Sequence, residues 1–341
     1  MVNGRRRVGQ WTTALERASK TAEALKQAAS GDAVALGATL DDVAEAMLED
    51  AVRRGVSENT VRFYVEKIRV IRQHLPGATP IRRIRPRDLE SYRDRRLSSD
   101  PARHGGRRPS ASAIDKDFDV LRRLFRFATK RGWFEGDPPT TRVERSQRKR
   151  EERKHYTSTD ILELVGAYRE ADTPTSAWTE ALTVLLFTTG LRASEVTRLH
   201  VRDLDSDPLQ ISVERKRSKQ TLPVHPIAMK AALRLAGDAG PGELVYRQSE
   251  QAETYARSHA MAHLYRTWRK RLPERLAGHH NPHTFRHSFQ THLMESEAPV
   301  HHVATLMDHA TGNSMTLRYA HATPDALRKT LSAAFDGLGL M

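Results

Sequence analysis

Apolar residues recur along this chain at spacings of three and four more than in alternation, which predicts a mainly helical protein. Leu40, Val43, Ala44, Met47, Leu48 and Ala51 form one stripe, with Thr39 and Asp42 placed as its cap. A second stripe follows Ser57, with Val61, Tyr64, Ile68, Ile71 and Leu75 on one face, and Pro76-Gly77 ends it. A third helix is expected over Pro86 to Leu97. The stretch Ser98 to Ser110 is rich in Gly, Pro and Arg and reads as a loop. Ser112 is then expected to cap a helix carrying Ile114, Phe118, Leu121, Leu124, Phe125 and Ala128. Four such stripes can bury one another as a small all-helical domain. Upstream of it, Trp11 to Ala29 reads as a polar, Ala-rich helix.

The pattern breaks over Pro138 to Lys154, where Pro138-Pro139 is followed by Arg145, Arg148, Lys149, Arg150, Arg153 and Lys154. Few apolar residues and a run of one charge mark a linker. Beyond it, helices are expected over Ser158 to Glu170 and Ser176 to Thr188. Leu209 to Glu214 and Thr221 to Val224 read as strands around a polar turn, Arg215 to Gln220, and helices dominate thereafter. The resulting division is an N-terminal extension (1–36), a helical domain (37–137), a basic linker (138–155) and a mixed domain with a small sheet (156–341). Within the last, Thr323 to Leu338 forms an amphipathic helix with Leu327, Leu331, Phe335 and Leu338 on one side.

Charge narrows the choice of partner. Of 341 residues, 56 are Lys or Arg and 42 are Asp or Glu, a formal net charge of +14. Such a surface attracts polyanions over long range and makes their binding salt-dependent. Cysteine is absent, which excludes disulfides, Cys-ligated zinc and thiol nucleophiles and fits a reducing compartment. No apolar run follows the basic start Met1 to Gln10, and no window has the length needed to span a bilayer. A soluble, cytoplasmic protein is therefore expected.

Two segments carry chemistry. In Gly190-Leu191-Arg192-Ala193-Ser194-Glu195-Val196 an apolar helix ends at Gly190, and Glu195 lies three residues from Arg192, within reach of its guanidinium. In Asn281-Pro282-His283-Thr284-Phe285-Arg286-His287, Asn281 is an N-cap and Pro282 occupies the first helical position. His283 and Arg286 then share the first turn, where helix amides favour anions. The His-x-x-Arg spacing alone is cheap. About two or three such pairs arise by chance from this composition, and His104/Arg107 and His263/Arg266 match as well.

Their order with Leu306-Met307-Asp308-His309 and Arg318-Tyr319-Ala320-His321 is far more specific. With these residues the chain resembles the tyrosine recombinase (phage integrase) family from about Leu40 to Tyr319. The matches run Gly-Leu-Arg-x-Ser-Glu at 190–195, a Lys in a strand turn before Leu-Pro-Val at 222–224, His-Thr-Phe-Arg-His at 283–287, His309, and the Arg-Tyr-Ala-His ending. The segment Ser112 to Pro138, with Leu121-Arg122-Arg123-Leu124-Phe125 and Gly132-Trp133-Phe134, is similar to the family's core-binding domain. The chain departs from the family in two places. Met307-Asp308-His309 stands where Leu-Gly-His is usual, with a span to Tyr319 one residue longer, and the hairpin turn is one residue short.

The resemblance implies a helical, SAM-like core-binding domain and a mixed α/β catalytic domain. It implies an enzyme that cuts and rejoins DNA through a 3′-phosphotyrosyl bond, with no metal or cofactor. Arg192 and Arg286 would bind the phosphate, supported by Glu195, and Tyr319 would attack it. His283 would assist proton transfer or bind the phosphate, and His309 would hydrogen-bond it. Lys216 is the match for the lysine that protonates the leaving 5′ oxygen, with Lys219 or Arg215 as alternatives. The expected partners are duplex DNA, gripped by a two-domain clamp with the linker as a strap, three further copies of the chain, and an accessory directionality protein. An amphipathic helix such as Thr323 to Leu338 commonly packs within its own domain; the resemblance instead favours docking on a neighbouring protomer. The stretch before Leu40 is shorter than the arm-binding domain of larger phage integrases, which points to a Xer-like or simple mobile-element recombinase. Two rival readings stand beside this one. A relative of the same fold could bind DNA without cutting it. A metal-dependent nuclease could use His283 and His287, four apart on a helix, although Thr284 occupies the position of the Glu in His-Glu-x-x-His.

Overall fold

The computed structural model describes residues 37–99, 108–144, 154–215, 218–247, 254–308 and 322–340. The chain divides into two compact units, Met1–Arg150 and Glu151–Met341. The helix expected over Trp11 to Ala29 and the basic stretch 145–153 lie outside the described residues. The described chain is mainly helical with one small antiparallel sheet.

In the first unit, α1 (Leu40–Arg53) starts on a reciprocal cap. The Thr39 hydroxyl accepts from the Asp42 amide, and the Asp42 carboxylate accepts from the Thr39 amide at 2.8 Å. Then come α2 (Glu58–Arg72), α3 (Pro86–Leu97) and α4 (Ala111–Lys130). The cap of α4 is Ser110, not Ser112. Ser110 has the extended backbone, and its hydroxyl accepts from the Ala113 amide, so Ser112 falls inside the first turn. The apolar stripes meet in one core that includes Leu40, Val43, Ile68, Ile71, Leu89, Ile114, Leu121 and Phe125. Each such side chain, fully buried, stabilises the fold by about 1.5–3 kcal/mol.

The second unit is built around α6 (Pro174–Thr189), whose residues from Thr179 onward are all buried. A helix apolar on every side must be surrounded, and α5 (Ser158–Ala171), α8 (Pro226–Ala236) and α11 (Pro282–Glu295) pack around it. The other helices are α7 (Ala193–Val196), α9 (Thr254–Trp268), α10 (Glu274–Ala277), α12 (Val300–Met307) and α13 (Pro324–Phe335). The sheet has order β1-β2-β3, with β1 (Leu204–Ser206), β2 (Leu209–Glu214) and β3 (Lys219–Pro223). Strand β1 was not expected; three residues are too few to show alternation. The hairpin is tighter than the sequence reading. Glu214 pairs with Lys219, and the Arg215 amide donates to Ser218 O at 3.0 Å.

The C-terminal helix packs within its own unit. Leu327, Leu331, Ala334 and Phe335 of α13 belong to the core of their own unit, with Phe335 against Phe187 and Phe289. Polar contacts fasten the same helix. His292 Nε2 lies 2.7 Å from Ala334 O, His302 Nδ1 lies 2.7 Å from the Thr330 hydroxyl, and His225 Nε2 lies 2.9 Å from Asp336 Oδ1. Deleting α13 would thus remove core residues from the monomer. Among the described residues, no helix is long and apolar enough to cross a membrane.

Candidate active site

Three helix ends meet at one side chain. Gly190 closes α6 in a left-handed conformation, φ 62°. A Cβ there would come within 2.3 Å of the Phe289 ring and 3.0 Å of Met307 Sδ, so only glycine admits both the backbone turn and the approach of α11 and α12. Arg286 bonds to the backbone at the same turn. Its guanidinium, 3% exposed, donates to Gly190 O at the end of α6 and to Met307 O at the end of α12. Both carbonyls lie at helix C-termini, the negative poles of the peptide dipoles, which favour a cation. Burial, then the neighbouring Arg192 and Arg215, pull the Arg286 pKa down to about 10, while Glu195 and Asp308 oppose them. It remains a cation at neutral pH.

Arg192 sits two residues after Gly190, as N-cap of α7. Glu195, almost fully buried, accepts from the Arg192 amide at 2.8 Å and from its Nη1 at 2.6 Å. The carboxylate is thus consumed in aiming one guanidinium, whose side chain remains 41% exposed. A buried anion beneath and open solvent above make Arg192 a cation presented outward. Asp308 Oδ2 lies 3.6 Å from the same Nη1.

The two alternatives for the hairpin cation both have partners of their own. Arg215 is buried; its Nη2 donates to Leu306 O and its Nη1 to Gln220 Oε1, each at 2.8 Å, and its Nε stands 4.0 Å from Glu195. Burial pushes its pKa down from the usual guanidinium range, against the pull of Glu195 and Asp308. It braces the site from below rather than presenting a proton. Lys219 opens β3, largely exposed, with Nζ 2.8 Å from Asp203 Oδ1. Lys216 lies outside the described residues, as do His309 and Tyr319.

His283 is exposed on the first turn of α11, where Asn281 Oδ1 accepts from the amides of His283 and Thr284 at 3.0 and 3.2 Å. Its Nε2 lies 3.0 Å from Nε2 of His287, and among the described residues no third His, Asp or Glu gathers with others into a metal-binding group. Just before the cap, His280 is fully buried between two tyrosine hydroxyls, Tyr156 at 3.2 Å and Tyr168 at 2.9 Å. Burial first, then Arg269 and His279, lower its pKa to about 3. His280 is therefore neutral, and it pins the loop from which α11 starts.

The structure thus brings Arg192, Glu195 and Arg286 together and places His283 on the helix that carries Arg286. The sequence reading did not single out the Arg192–Asp308 contact or the bracing by Arg215. Both depend on the end of α12 reaching α6, which spacing along the chain does not reveal.

Comparisons with known proteins identify the family and the fold. A family model described as the phage integrase family matches residues 154–325, and one described as the phage integrase N-terminal SAM-like domain matches residues 50–132. Tyrosine recombinase XerD of Corynebacterium glutamicum is 30% identical over 307 residues, covering 83% of this chain and 94% of the relative. Tyrosine recombinase XerC of Oceanobacillus iheyensis is 25% identical over 292 residues, covering 82% and 90%. Among solved structures, the Tn1549 transposon integrase in complex with a circular intermediate DNA aligns with a TM-score of 0.63 at 21% identity, covering 85% of this chain and 98% of that one. A lambda integrase dimer bound to a COC′ core site gives 0.59 at 18% identity, covering 84% and 99%. At these identities the two structures share the fold.

Proposed function

Because the chain belongs to the phage integrase family of tyrosine recombinases, and is therefore a site-specific recombinase that breaks and rejoins DNA, we propose that Tyr319 attacks a backbone phosphate gripped by Arg192 and Arg286. The observation that carries this assignment is the convergence of two guanidiniums, one locked by helix-end carbonyls and one aimed outward by a buried carboxylate. Attack builds negative charge on the non-bridging oxygens of a five-coordinate phosphorus. Fixed guanidinium forks stabilise that charge without reorganising and stay protonated throughout.

The Tyr319 oxygen forms the new bond to phosphorus while the bond to the 5′ oxygen breaks. The phenol, with an ordinary pKa near 10, yields its proton to His283. Lys216 protonates the departing 5′ oxygen, and His309 hydrogen-bonds the phosphate. The product is a 3′-phosphotyrosyl ester. One phosphate ester replaces another, so a free 5′ hydroxyl reverses the reaction without ATP. The helical unit and the basic stretch 138–155 hold the duplex through its phosphates, four copies exchange strands at two sites in the cytoplasm, and an accessory protein sets the direction.

The test starts from duplex fragments selected by the purified chain from a random library. A selected site carrying a nick next to the cleavage point lets the short 5′ fragment diffuse away and traps the adduct. An SDS-resistant protein–DNA band in the wild type, absent from Tyr319→Phe, is expected. A band that persists in Tyr319→Phe, or cleavage that EDTA abolishes, overturns the assignment. Stable binding of the selected site with no adduct would mark a DNA-binding protein that does not cut.

A further inference from the structure

Asp308 is doubly misplaced by local rules. It ends α12 with φ 50° and ψ 42°, a left-handed conformation that glycine adopts freely and aspartate only tolerates. It also sets a carboxylate at the negative pole of a helix, where a cation is favoured. A residue that breaks two local preferences is explained by what its side chain meets. Here that is Arg192: Oδ2 lies 3.6 Å from the Nη1 that Glu195 holds from below at 2.6 Å.

The two carboxylates differ in kind. Glu195 is buried and accepts two hydrogen bonds from Arg192. Asp308 is 44% exposed, on an Arg192 side chain that is itself 41% exposed, and makes an ion pair without a hydrogen bond. Its charge also acts on Arg286 and Arg215, so it lies in the joint field of all three guanidiniums. For a guanidinium, carboxylate and phosphate oxygens are acceptors of the same geometry and charge sign.

We propose that Asp308 is a built-in stand-in for the scissile phosphate, an anion that occupies Arg192 until DNA displaces it. A phosphate arriving alone must compete with a tethered carboxylate. A phosphate delivered by a bound duplex is driven in by all the other contacts. The device weakens capture of stray phosphates and couples opening of the site to binding of the whole substrate. It rests on the reading of Arg192 and Arg286 as the phosphate grip.

Asp308→Asn removes the charge and keeps a side chain that tolerates the left-handed backbone. Asp308→Gly removes charge and side chain together. Calorimetric titration of the full-length chain with inorganic phosphate, without DNA, should show about two- to fivefold tighter binding in both variants, the range expected when an exposed ion pair is removed. Arg192→Ala combined with Asp308→Asn should abolish that gain. On the nicked site at sub-saturating DNA, covalent trapping by Asp308→Asn should rise by a similar factor. Unchanged or weaker phosphate binding in both single variants overturns the proposal, as does a gain that survives loss of Arg192. If the wild type forms no adduct, the assignment of Tyr319 fails, and the phosphate titration still decides the role of Asp308.

Discussion

Asp117 in the helical unit and Glu195 in the second are both buried carboxylates among cations, and the two clusters end differently. In the helical unit Asp117, with no exposed surface, accepts from Lys67 Nζ at 2.7 Å, from the Tyr92 hydroxyl at 2.9 Å and from Arg96 Nε at 3.1 Å. Arg96 is 4% exposed, and Lys67 only 14%. In the second unit Glu195 is just as buried, yet its principal partner Arg192 is 41% exposed. The first cluster turns its charge inward and ties α2, α3 and α4 together. The second uses a buried charge to aim a cation at solvent. Composition is the same in kind; what separates a structural ion cluster from a site is where the cation's remaining donors point.

Removing the anion from the inward cluster should therefore cost the most stability. Asp117→Ala removes the buried carboxylate that Arg96 and Lys67 share, at about 3–5 kcal/mol. Hydrogen exchange should quicken across α2 to α4 and leave α6 as in the wild type; unaltered protection of α2 to α4 would disprove the structural reading. Arg286 stands between the two kinds, buried like Arg96 but placed at the site. Arg286→Ala strips donors from the buried carbonyls of Gly190 and Met307, costing about 2–4 kcal/mol. Covalent trapping should also slow about a hundred- to thousandfold, the cost of one missing transition-state donor. Equal trapping by this variant and the wild type, measured on folded protein, would remove Arg286 from the chemistry.

His280 shows a third way to bury a polar group, uncharged between two tyrosines. Its pKa falls from 6.5 to about 3 in the folded chain, so between these values the unfolded state binds the extra proton. The stability it lends is complete above pH 6.5 and is lost as pH falls toward 3, at up to about 1.4 kcal/mol per unit. The unfolding free energy from urea titrations should fall by about 1.4 kcal/mol between pH 7.5 and pH 5.5. His280→Asn should flatten the slope, whatever its effect on absolute stability, and an unchanged slope would assign the acid sensitivity elsewhere.

Local signals read well wherever the physics is local. The Thr39–Asp42 cap and the Asn281-Pro282 start are visible because partner residues lie within four positions of each other. Ser110 and Ser112 are both competent caps, and the choice depends on where the preceding chain becomes extended. The side of α13 with Leu327, Leu331 and Phe335 is legible as apolar, but the surface covering it is not: a stripe fits its own core or a neighbour's equally well, and here Phe187 and Phe289 supply the surface. At the site, motif order brings out Arg192, Glu195, His283 and Arg286. It offers Arg215 only as an alternative hairpin cation and Asp308 only as a departure from the family, and does not reveal their partners, which lie across the fold. Lys216, His309 and Tyr319 rest on motif order.

The sharpest form of the contrast comes from the variant expected to disturb the fold least. Arg192→Ala removes a half-exposed side chain whose ion pairs with Glu195 and Asp308 form at the surface edge of the cluster. The Arg192–Asp308 pair is exposed and contributes under about 1 kcal/mol; Glu195, though buried, still accepts from the residue-192 amide and keeps Arg215 at 4.0 Å as a partial counter-charge. The urea midpoint should therefore shift little, while covalent trapping should fall about as far as in Arg286→Ala, a hundred- to thousandfold. The opposite pattern, a large loss of stability with trapping intact, would make Glu195–Arg192 a second structural cluster like that of Asp117. Arg192→Lys separates charge from shape. If the planar fork matters, lysine recovers the urea midpoint but not the trapping rate, since an ammonium cannot offer two parallel donors to one phosphate.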